Sequence, residues 1–116
     1  MALLNKADIL SASDECFELV LVPEWGGEVR VSSMSAFSRD QFEASIIGKN
    51  GGQNLQNIRA KLAAATLTDE AGKLLFTEKD LAKLGGKSAA ALDRVFEVAQ
   101  RLNGMSNADV EEIAKN

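Results

Sequence analysis

Between Cys16 and Val22 the chain alternates in a period of two, with Phe17, Leu19 and Leu21 on one side and Cys16, Glu18, Val20 and Val22 on the other. The pattern predicts a strand with apolar residues on both faces, at least one of which should meet a second element. Pro23 has no amide donor and Gly26-Gly27 accept positive φ, so Pro23 to Gly27 should reverse the chain into a second strand carrying Val29 and Val31. A β-hairpin is expected. The period then lengthens: Met34, Phe37, Phe42 and Ile46 form the apolar stripe of a helix, with Arg39, Asp40 and Glu43 outside. Ser35 or Ser38 should cap it, and Ser38 with Gln41 fits a capping box.

Residues 48–54 (Gly48-Lys49-Asn50-Gly51-Gly52-Gln53-Asn54) interrupt that helical pattern and read as a flexible loop. Leu55, Ile58 and Leu62 resume a helical spacing, and Ala63 to Leu67 fits helix or strand. Thr68 to Gly72 has turn chemistry and the apolar run Lys73 to Phe76 follows, which predicts a second hairpin. Thr77 with Asp80 fits a capping box for a short helix through Leu81 and Leu84, ended by Gly85-Gly86. Ser88 should cap the longest helix, where Leu92, Val95, Phe96, Ala99 and Leu102 recur at steps of three and four. Gly104 stops it, and Ser106 with Asp109 opens a last helix through Val110 and Ile113. Near the start, Leu3 to Ser11 is a weak helical segment with Leu3, Leu4, Ile9 and Leu10, so residues 1–12 are expected to be mobile or to dock late. The predicted fold is α+β, two β-hairpins packed with four to five α-helices in a single domain spanning residues 1–116.

Composition narrows the function classes. At 116 residues with 46% hydrophobic and 26% charged, the chain can bury one core without disulfides or metal. A net charge of -4 leaves no electrostatic footprint for a phosphate backbone, so nucleic acid is not an expected partner. With no histidine and one cysteine, Cys16, neither a zinc site nor an internal disulfide is expected, and Cys16 itself reads as a buried inert thiol. No run of ~18 apolar residues and no signal-peptide pattern occurs, so neither a membrane nor export is expected.

No residue set assembles a reaction, and no enzyme activity or cofactor is expected. Gly48-Lys49-Asn50-Gly51-Gly52 lacks the Lys-Ser/Thr ending and strand-to-helix setting of a phosphate loop. Asp69-Glu70 and Glu111-Glu112 lack the alternate spacing of calcium ligands and read as solvated charges. The helices flanking Gly85-Gly86 resemble a helix-turn-helix only in outline, because Ser88-Ala89-Ala90-Ala91 offers nothing to read base edges. Binding is the remaining class. Trp25, at a hairpin tip, either anchors a partner or folds back over the core beside Pro23, and surplus apolar surface at Phe37, Phe42, Leu74 and Phe76 is the other candidate protein interface.

The order of these landmarks carries a resemblance. The apolar run into Pro23-Glu24-Trp25-Gly26-Gly27, then Arg39-Asp40, then Asp69-Glu70-Ala71-Gly72-Lys73-Leu74-Leu75-Phe76, then Leu102-Asn103-Gly104 resembles the tail assembly chaperones of long-tailed bacteriophages, the lambda G-like proteins. The resemblance runs from about Glu15 to the C-terminus and does not extend to the glycine-rich loop. It implies a non-catalytic protein of the host bacterial cytoplasm that binds the tape-measure protein, keeps it soluble and helps recruit tail-tube protein, then leaves the finished tail. It also implies a longer form made by ribosomal slippage, for which Ala114-Lys115-Asn116 can be encoded with a slippery heptamer. A homo-oligomer, ring or filament, is a candidate arrangement because many copies must coat one long client, and the residue spacing does not decide it. The alternatives are a structural minor tail component and a small protein- or DNA-binding regulator.

Overall fold

The computed structural model describes residues 2–47 and 57–105. The predicted Gly48–Gln53 loop and the predicted last helix after Ser106 lie outside them.

A three-stranded antiparallel sheet of order β1-β2-β3 forms from β1 (Phe17–Val22), β2 (Gly27–Ser32) and β3 (Leu67–Thr68). The first hairpin is as expected. Pro23–Trp25 make a single 3₁₀ turn, Gly26 closes it at φ 76°, and Val22 pairs with Gly27. A positive φ of that kind is cheap only for glycine. The second hairpin is minimal: Leu67–Thr68 pair with β2, the chain turns at Gly72 with φ 85°, and Thr68 meets Leu74 in one bridge. The Asp69 carboxylate accepts from the amides of Ala71 and Lys73 at 2.8 and 3.0 Å, which is why an aspartate opens this turn.

Five α-helices are described: α1 (Lys6–Ser11), α2 (Ala36–Ile46), α3 (Ile58–Thr66), α4 (Leu81–Gly85) and α5 (Ala89–Leu102). Ser88 caps α5 by accepting from Ala91 N–H, and Thr77 with Asp80 forms the expected reciprocal box before α4. For α2 the cap is Ser35, whose hydroxyl accepts from Ser38 N–H at 3.1 Å, so Ser38 lies inside the first turn and heads no capping box. The ambiguous Ala63–Leu67 stretch divides, helical to Thr66 and extended from Leu67.

The core lies between the sheet and the pair α3 and α5. Val22, Val31 and Leu67 from the sheet meet Leu62 and Ala63 of α3 and Leu92, Val95 and Ala99 of α5, all at most 3% exposed. Burying a Val, Leu or Ile side chain of this kind contributes about 1.5–3 kcal/mol. Only one face of β1 takes part. Val20 and Val22 turn inward, while Phe17, Leu19 and Leu21 are 54%, 58% and 63% exposed. No residue of α1 is buried, and its apolar side chains Ile9 and Leu10 are exposed.

Two expectations are corrected. Cys16 lies one residue before β1 and is exposed rather than buried. Phe37 is 73% exposed, because at about 100° per residue it points some 140° away from Phe42 around the helix, whereas Ile46 lies within about 40° of Phe42.

Candidate functional site

The landmarks of the sequence meet at structural joints. Asn103, at the end of α5, accepts the Met34 amide on its side-chain oxygen at 2.7 Å and donates through its side-chain nitrogen to Ala99 C=O at 2.8 Å. Its backbone C=O accepts from Arg39 Nη1 at 2.7 Å, while Arg39 Nε donates to Glu43 at 3.1 Å. The Arg39-Asp40 and Leu102-Asn103-Gly104 landmarks therefore fasten the start of α2 to the end of α5. Gly104, at φ 64°, turns the chain out of the helix.

Ion pairs tie helix α5 to the first hairpin and to α3. Arg94 Nε donates to Glu24 at 2.9 Å in the hairpin turn, Arg101 Nη2 donates to Glu18 of β1 at 2.7 Å, and Asp93 accepts from Arg59 of α3. The hydrogen bond from Arg94 holds the Glu24 carboxyl below its ordinary range, and the Glu18 carboxylate raises the already high pKa of Arg101. These are exposed pairs, which set orientation and contribute little to stability.

A groove of about 650 Å³ lies between α2, α3 and the segment Leu74–Leu81. Ser38, Gln41, Phe42 and Ser45 line it from α2, and Lys61, Ala64 and Ala65 line it from α3. Leu74, Phe76, Thr77, Glu78 and Leu81 form the third wall. Phe42 is buried at its base, Phe76 is half-buried, and Leu74 is half-exposed. Lys61 Nζ donates to Ser45 C=O at 2.9 Å and so bridges α2 and α3. The walls are mainly apolar, with one cation and one anion among polar side chains. A lining of this kind can hold apolar side chains, with a few polar groups to orient them.

Of the five residues singled out from the sequence, Phe42, Leu74 and Phe76 come together in this groove. Phe37 lies one turn before Gln41 on the same side of α2, beyond the groove's edge. Trp25 sits elsewhere, half-buried against the core at the hairpin tip. Leu81 and the α3 wall do not stand out as interface residues in the sequence. The signal for that wall was the Ala63-Ala64-Ala65 run, whose small side chains leave room beside a helix. Among the described residues no group of three or more His, Cys, Asp or Glu side chains converges as metal ligands, and no helix is long and apolar enough to cross a membrane.

No protein-family profile and no curated protein matches the chain. Among solved structures, its fold is similar to that of the bacteriophage HK97 tail assembly chaperone, with a TM-score of 0.60 at 16% identity over 87% of this chain and 95% of that one. The two chains share the fold.

Proposed function

We propose that this chain is a tail assembly chaperone of a long-tailed bacteriophage. The observation that carries the reading is the fold it shares, over nearly the whole of both chains, with a protein of that role. The ordered landmarks of the sequence support it, since Arg39, Asp69 and Asn103 form joints of that fold. In this reading the client is the tape-measure protein, a long helical chain whose apolar faces aggregate unless covered. The groove of Phe42, Leu74, Phe76 and Leu81 accepts anchoring side chains spaced one helical turn apart on that client. Tail-tube subunits then displace the chaperone. The work is binding in the host cytoplasm, without catalysis, by this chain together with a longer frameshifted form.

The test is co-expression of the tagged chain with the tape-measure-like product encoded nearby, scored by solubility and pull-down. The expected result is a soluble client that co-purifies. A client that stays insoluble and unbound with both the short and any frameshifted form contradicts the reading, and recovery of this chain from purified virions moves it to a structural tail component.

A further inference from the structure

We infer that β1 is a self-recognition edge, through which two copies of this chain pair antiparallel into one six-stranded sheet. Cys16 C=O accepts from Ser33 N–H at 2.8 Å, and the β1–β2 register continues that pairing without a bulge to Val22 and Gly27. In an antiparallel ladder alternate residues bond to the neighbour, so Glu18, Val20 and Val22 point their amides and carbonyls at β2. Phe17, Leu19 and Leu21 therefore point theirs away from it. Since β1 is at the edge of the sheet, those groups have no strand beside them among the described residues.

The same three residues carry the exposed apolar side chains of the outer face. Soluble proteins usually blunt such an edge with lysine, proline, a bulge or an inward charge. Here Phe17–Val22 is unbulged and has no lysine or proline, and the one charge on its inner face, Glu18, is neutralised by its ion pair with Arg101. Arg30 of β2 lies over the Phe17 ring with Cζ 3.9 Å from its centroid, which holds that ring in place on the outer face.

The occupant is a second copy because the edge is complementary to itself. Laid antiparallel about a two-fold axis at Leu19, Phe17 faces Leu21 of the other copy, Leu19 faces Leu19, and Leu21 faces Phe17. Each such pair exchanges two backbone hydrogen bonds and packs apolar against apolar. Glu18 then faces Val20, so no like charges are opposed. Sliding the strand by two residues one way brings Phe17 opposite Pro23, which has no amide to donate, and the other way brings Leu21 opposite Glu15. One register satisfies all three residues. A single strand pair is small for an interface, so the dimer is expected to be reversible on dilution.

The test is sedimentation velocity of the full chain from micromolar to millimolar concentration, with Leu19→Lys and Leu19→Glu variants whose folding is checked by circular dichroism. Leu19 is more than half exposed and its amide bonds nothing in the monomer, so both variants should fold. The wild type is expected to dimerise as concentration rises, and Leu19→Lys to raise the dissociation constant about tenfold or more by setting two ammonium groups face to face. Mixing Leu19→Lys with Leu19→Glu should restore a dimer, because only this register places residue 19 opposite its own copy. A wild type that stays monomeric throughout overturns the inference, as does a dimer that Leu19→Lys leaves intact or a mixture that fails to re-form one.

Discussion

Replacing Asn103 by alanine tests whether the late landmark is a structural clasp. The side chain makes two bonds, accepting from Met34 N–H at 2.7 Å and donating to Ala99 C=O at 2.8 Å. The second loss is mild, because Ala99 C=O keeps the Asn103 amide at 3.1 Å. The first strands a partly buried amide at the entrance to α2, and an unsatisfied buried donor costs about 1–3 kcal/mol. The Arg39 contact survives, since it uses the backbone carbonyl. Together the losses should come to about 2 kcal/mol, or a fall in Tm on the order of 10 °C for a domain of this size. Urea unfolding followed by the fluorescence of Trp25, the sole tryptophan, reads the change directly. Asn103→Asp retains the acceptor and loses only the donor, so it should fall between the two. A stability of Asn103→Ala indistinguishable from wild type at unchanged m-value would refute the clasp.

Other consequences follow from the same geometry. Leu62→Ala opens a cavity at a fully buried position and should cost about 2–5 kcal/mol by urea unfolding, whereas Leu74→Ala, half-exposed on the groove, should change stability by less than about 0.5 kcal/mol. Gly72→Ala forces an L side chain to φ 85° and should destabilise by about 1 kcal/mol in the same assay. Because Arg94 lowers the folded-state pKa of Glu24, that pair stabilises fully above the ordinary glutamate pKa and loses its effect as pH falls through the lowered value. The stability gap between wild type and Arg94→Ala should accordingly be present near neutrality and close in that acid range, measured by thermal melts across pH.

Local chemistry was the legible part of this fold. The hydroxyl caps at Thr77 and Ser88, the turns at Gly26 and Gly72 and the strong stripe of α5 depend on neighbours within a few residues, and each formed where its residues predicted. Long-range choices were not legible. Alternation in Phe17–Val22 allows either face to be core, and the choice fell to Val20 and Val22 because α5 packs on that side. Phe37 is a different case: its five-residue spacing from Phe42 already sets the two about 140° apart on a helix, so grouping them in one stripe overlooked local geometry. The groove was half legible: Phe42, Leu74 and Phe76 stood out as apolar surplus, but Leu81 and the alanines of α3 join them only through tertiary packing.

The most direct test of the central claim is client capture scored with the groove and the sheet edge altered separately. Tagged wild type, Leu74→Glu and Leu19→Lys chains would each be co-expressed with the tape-measure-like protein, and the soluble client recovered with each would be quantified. Wild type and Leu19→Lys are both expected to retain client, while Leu74→Glu is expected to lose it despite folding normally. Equal capture by Leu74→Glu, or no capture by the wild type, would contradict the central claim.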